Sequence, residues 1–153
     1  MSVYRFLAAA LAAAAFAPDA VSQAKGEVPA VPFKAHVDMK TFMEHVLTPA
    51  ATIIWRVNGL IIDANGEHDL SPKTNKDWEQ IVSGAATLAE ATNALMIPER
   101  VPDRAWTQYA ARLAAAADKA YRGAEDHDLK TVSEVSDQLD GICSDCHRHY
   151  GVE

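Results

Sequence analysis

The residues best equipped for chemistry lie together in "GICSDCHRHYGVE", residues 141–153. Cys143 and Cys146 are the only two cysteines of the chain, and His147 follows the second directly. C-x-x-C-H is the spacing of covalent c-type haem attachment. Each thiol can add to one haem vinyl group, and the two vinyls lie on neighbouring pyrrole rings. Two intervening residues on a helical turn let both sulfurs reach them. The next residue then projects an imidazole towards the iron as an axial ligand.

Rival chemistries use the same side chains. C-x-x-C also serves thiol–disulfide exchange, but there it normally opens a helix in a βαβ setting, where the helix N-terminus lowers the thiol pKa. A structural zinc site needs four ligands, and no second cysteine pair exists. A structural disulfide would suit an oxidising compartment. One covalent haem c per chain is the expectation that best fits the spacing and its place at the end of a helix. No catalytic constellation beyond the haem motif is visible, so an enzyme is not expected.

Positioning these groups requires helices. From about His36 to Asn58, Met39, Met43, Val46, Ala50, Ile53, Ile54 and Val57 recur at the three-and-four spacing of one helix face. Pro49 lies inside this run and should kink it. Asn58-Gly59 is a stop, and "LIIDANGEHDLSPK" reads as a long connection with turn chemistry at Asn65-Gly66. A second helix should begin near Thr74, where Thr74 and Asp77 have capping-box spacing. It carries Trp78, Ile81, Ala85, Leu88 and Leu95 inward, with Met96 expected in the core. Asp103 can cap a third helix bearing Trp106, Tyr109, Ala110, Leu113 and Ala117, which Gly123 should end. Asp126 or Asp128 starts a fourth, with Leu129, Val132, Leu139, Ile142, Cys143 and Cys146 inward. No strand-like alternation competes, so the fold class expected is all-α, an antiparallel four-helix bundle closed by the haem-attachment motif.

Length and charge fit this reading. A chain of 153 residues suits one domain with a real core. Its formal charge of -7 excludes a basic nucleic-acid surface and favours a basic partner patch. The N-terminus reads as an export signal: Arg5 precedes the apolar run "FLAAALAAAAFA", too short for a comfortable membrane span. Ser22 and Ala24 are small where a signal peptidase reads. Residues 1–24 are therefore expected to be removed, with cleavage after Ala20 as the second choice. Residues 25–153 would form the bundle, soluble and, in a bacterium, periplasmic.

"CSDCHRHY" closing an exported four-helix chain resembles the cytochrome c′ superfamily, including its low-spin cytochrome c-556 branch. The resemblance rests on Cys143, Cys146, His147 and Tyr150. "FMEHVLTPAATIIW" is similar to first-helix segments of exported bundle cytochromes. The resemblance implies a left-handed antiparallel bundle with haem between the helices, often a dimer, working with redox partner proteins. It also implies that the first helix faces the side of the haem opposite His147. One position departs from it. The c′ proteins that bind gases usually carry a basic residue four places after the haem histidine, and here that residue is Gly151, with Arg148 directly after His147.

The sixth iron ligand separates two functions. A side chain there makes an electron carrier; an open site binds small gases. Met43 and Met39 share the inward face of the first helix, and Met/His ligation raises the haem potential. A methionine stripe can equally be core filling. Met43 is the foremost candidate, Met39 and His36 are alternatives, and an open site stays possible. His45, His68 and His127 are expected at the surface, and His149 is too near His147 to reach the opposite haem face. Trp55, Trp78 and Trp106 read as core anchors, one of which could stack near the haem. Arg56, Arg100, Arg104 and Arg148 are candidates to meet a haem propionate.

Overall fold

The computed structural model describes residues 33–152. The expected signal segment, 1–24, lies outside the described residues. Four helices and one β-hairpin make up the described chain. Helix α1 spans 39–55, α2 Asn75–Leu95, α3 Arg104–Glu125 and α4 Leu129–Tyr150. The hairpin strands are β1, Leu60–Asp63, and β2, Gly66–Asp69.

Each helix starts at a side-chain cap that satisfies backbone N–H groups left without helical partners. Asp38 accepts from the Thr41 N–H at 2.9 Å and begins α1. That start is later than the periodicity suggests, so His36 precedes the helix and is exposed. Thr74 and Asp77 form the expected capping box, with the Thr74 N–H on Asp77 at 2.8 Å and the Asp77 N–H on Thr74 at 3.3 Å. Asp103 caps α3 through the Trp106 N–H, and Asp128 caps α4 through the Thr131 N–H.

Helix α1 is interrupted inside. Met39–Phe42 and Thr48–Trp55 are α-helical, but Met43–Leu47 is a π segment in which the Thr48 N–H bonds the Met43 carbonyl five residues back. Pro49 supplies the cause. It has no N–H for the His45 carbonyl, and its ring crowds that carbonyl, so an ordinary turn cannot close there. The irregularity expected at Pro49 is thus a widened turn on its N-terminal side. Residues five apart consequently share a face. Phe42 and Leu47 are both buried, although the α-spacing used above placed neither inward.

Two other expectations are corrected. "LIIDANGEHD" is an antiparallel hairpin rather than an irregular connection, with Leu60 opposite Asp69 and Asp63 opposite Gly66. All eight of its strand residues are exposed, so it buries no face that could leave an alternating pattern in the sequence. Gly123 does not end α3, which runs on to Glu125. A Cβ there would lie 2.8 Å from Thr131 Cγ2, so this glycine serves close approach of α4.

The helices pack in a closed ring, α1 on α2 and α4, and α3 on α2 and α4. Cross-pairs show that α3 and α4 run antiparallel: Tyr150 reaches Asp103, Arg112 reaches Asp145 and Lys119 reaches Glu134. The same holds for α1 and α4, where Ser136 donates to the Trp55 carbonyl and Asn58 bonds Ser133 and Asp137. Ile54, Leu88, Val132, Val135 and Leu139 are the largest fully buried side chains. Burying each contributes about 1.5–3 kcal/mol. Ala85, Ala117, Ala120 and Ala124 between them have no exposed surface and let the helix axes approach. Met96 and Leu129, both expected inward, are exposed. Among the described residues no helix is long and apolar enough to cross a membrane.

Candidate functional site

A cleft of about 730 Å³, counting the part open to solvent, lies among the four helices. Its α4 wall carries Ile142, Cys143, Cys146 and His147. The three residues of the motif stand at positions i, i+3 and i+4 of one helix and so form a single stripe. Both cysteines are half-buried and free.

The helix then stops at once, for a reason visible in the backbone. Gly151 is left-handed, with φ 64°, and the Val152 N–H bonds the His147 carbonyl at 3.0 Å. This closing turn favours glycine. It accounts for the glycine four places after His147.

Thiol electrostatics speak against an exchange centre. Burial pushes the Cys143 thiol up to about 11, reinforced by the nearby Asp140 and Cys146, and burial raises Cys146 as well. A thiol–disulfide catalyst needs its attacking thiol lowered, by a helix N-terminus or a neighbouring cation. The pair sits instead near the C-terminus of α4. Among the described residues no cluster of three or more His, Cys, Asp or Glu side chains could hold a metal ion.

The α1 wall consists of Met43, Leu47, Thr48, Ala51 and Trp55. Met43 thus shares the cleft with Cys143, Cys146 and His147. Met39 packs against the core but does not line the cleft. His36 lies before the helix and His45 is exposed on it. His68 is tied to Asp63 in the hairpin at 3.1 Å. His127, expected as a plain surface residue, is exposed but stacked on Trp78, with ring centroids 4.9 Å apart. His149 packs beside Tyr109 and Tyr150. Leu47, Thr48 and Ala51 were not foreseen at the site. The signal for them was Pro49, whose widened turn shifts the stripe by one residue.

The remaining walls are mostly apolar. Leu88 and Leu95 come from α2, and Trp106, Tyr109, Ala110 and Leu113 from α3. Two of the three tryptophans therefore face the cleft, while Trp78 is buried elsewhere. Trp106 donates its indole N–H to the Leu95 carbonyl at 2.8 Å. The buried Trp55 Nε1 has no partner among the described residues. An unpartnered buried donor is costly, on the order of 1–3 kcal/mol, and an acceptor on a bound group would relieve it. Burial, reinforced by the hydrogen bond that Tyr150 Oη donates to Asp103 at 2.8 Å, pushes the Tyr150 phenol up to about 12.

None of the four arginines considered for propionates lines the cleft. Arg100 bonds the carbonyls of Ala94 and Val37 and lies over the Phe42 ring. Arg148 pairs with Asp145 at 2.6 Å, and Arg56 borders a separate cleft beside Asp69 and Lys73.

These residues fit a haem. Two thiols and an imidazole stand on one wall and a thioether on another. The apolar surface between them suits a flat macrocycle, and the orphaned indole N–H suits a group that carries acceptors. Compared with protein-family models, curated proteins and solved structures, the chain matches none.

Proposed function

We propose that the chain is a monohaem c-type cytochrome that carries single electrons, with haem attached through Cys143 and Cys146 and ligated by His147 and Met43. The supporting observation is that Met43 and the C-x-x-C-H stripe line one cleft, although about a hundred residues separate them in the chain. The bound haem supplies the reversible one-electron change of its iron. The chain's own residues do the rest. The two cysteines prevent loss of the group. His147 and Met43 would ligate its iron, and a thioether ligand would favour the reduced state. Leu47, Leu88, Leu113 and Ile142 keep water from the ring.

This reading extends the resemblance to the cytochrome c′ superfamily and its c-556-like branch, and it includes a four-helix bundle built to hold that haem. It includes export by the N-terminal signal and function in the periplasm with redox partner proteins, the acidic surface favouring a basic docking patch. A homodimer of the c′ kind belongs to the same reading.

Absorption spectroscopy and intact mass test it on protein purified from a host with haem-attachment machinery. The mass should exceed that of the chain beginning at Lys25 by one haem, and acidified organic solvent should not extract the pigment. Ferric and ferrous spectra should both be low-spin, with weak CO uptake. A freely extractable haem would refute covalent attachment. A ferrous protein that is high-spin and takes CO at once would replace the electron carrier by a gas-binding protein with an open site. A protein without Soret absorption would leave a haem-free thiol–disulfide protein.

A further inference from the structure

We infer that Pro49, which does not line the cleft, is the residue that brings Met43 to the iron. The inference rests on Met43 being the axial ligand and adds how the chain puts it there. Two observations carry it. The first is angular. In an unbroken α-helix each residue turns about 100° from the last. Counting back from Trp55, Ala51 and Thr48 on the cleft wall, Glu44 would come next on that stripe, with Met43 well round towards its edge. In α1 the order is reversed: Met43 lines the cleft, and Glu44 is exposed and pairs with Lys40. The π segment Met43–Leu47 contributes the extra residue that makes the exchange.

The second observation is axial. Ser136 meets Trp55 at the end of α1, and the two antiparallel helices rise equally per residue. Continuing that antiparallel register without interruption sets position 44 level with His147. The additional residue in the widened turn moves Met43 into that place. Rotation and level thus both point to position 44 in a straight helix and to Met43 in the helix as it is. Pro49 sets the difference, because its missing N–H and its ring forbid the ordinary turn at His45. Pro49 is a positioning residue.

The experiment uses the haem-loaded protein and compares wild type, P49A, M43A/E44M and M43A/E44M/P49A. Spin state, CO uptake and the strongly upfield-shifted NMR signal of an iron-bound Met methyl are measured in the ferrous form. P49A, with Met43 intact, should lose the methyl signal, become high-spin and take CO. M43A/E44M should be high-spin while Pro49 is present and low-spin once P49A is added. That rescue is not an effect of general destabilisation, since alanine in place of proline favours the helix. Amide NMR gives a readout independent of the iron: in P49A the acceptor of the Thr48 N–H should change from the Met43 to the Glu44 carbonyl. Retention of the Met methyl signal in P49A overturns the inference, as does a high-spin M43A/E44M/P49A protein. A wild-type protein without the signal refutes Met43 ligation itself, and P49A is not needed to see it.

Discussion

Replacing Met43 by alanine separates ligation from packing. Met43 is half-buried on the cleft wall, and so is Met39 one turn earlier against the core. Truncating a fully buried methionine costs about 2–5 kcal/mol. Half-burial reduces the packing share to about 1–2.5 kcal/mol for either residue. Stability alone therefore cannot distinguish them. Coordination can. Met43→Ala should remove the thioether, turn the haem high-spin in both oxidation states, open the iron to CO and lower the reduction potential. Its loss in denaturant titration should exceed the packing share, because the bond to iron goes as well. Met39→Ala should lose only the packing share and keep a low-spin spectrum with no CO uptake. Parallel spectra, CO titrations and denaturant curves on the two variants decide the matter. The reasoning fails if Met43→Ala leaves the spectrum unchanged. If Met39→Ala is then the high-spin protein, the ligand lies one turn earlier, and the placement of α1 against α4 is wrong by that turn.

Other outcomes follow from the same structure. Trp55→Phe keeps an aromatic ring but deletes the orphaned N–H; if that donor serves the bound group, the loaded protein should lose about 1.5–3 kcal/mol in denaturant titration while keeping its covalent haem. Leu139→Ala, at a site with no exposed surface, should cost about 2–5 kcal/mol by the same measurement, without altering the ligands. Asp38, Asp77, Asp103 and Asp128 accept hydrogen bonds at helix starts, and each is held below the ordinary carboxylate value of 3.8. Their contribution is present above that value and is lost as pH falls through their lower folded values, so thermal melts should drop below about pH 4. Asp128→Asn, which caps without titrating, should reduce that acid sensitivity.

The sequence carries the fold wherever one local signal decides the structure. Thr74 with Asp77, Asp103 and Asp128 begin helices because a side-chain oxygen satisfies an N–H that no helical carbonyl can reach. The motif at Cys143, Cys146 and His147 was legible because i, i+3 and i+4 must share a face once the segment is helical. The hairpin was not legible, because strands exposed on every residue leave no pattern of burial. Gly123 reads as a helix stop because the approach of Thr131 comes from another helix and has no local sign. Periodicity carries Met96 into the core, but α2 ends at Leu95 and the next residue has already left the packed face.

In helix α1 regular periodicity brings Met43 inward without describing the wall that it joins. Regular α-spacing grouped Met43 with Val46 and Ala50. The wall that Met43 joins contains Leu47, Thr48, Ala51 and Trp55. Grouping residues on either side of Pro49 by one period carries the count across a turn that has a different period. The buried pair Phe42 and Leu47 records that change, since a spacing of five shares a face in a π turn and not in an α-helix. A proline a few residues after a candidate ligand is therefore part of the ligand's own geometry. Chemistry alone nominates four groups, Cys143, Cys146, His147 and Met43. Whether the fourth faces the other three depends on a backbone irregularity that Pro49 imposes and that no periodic reading contains.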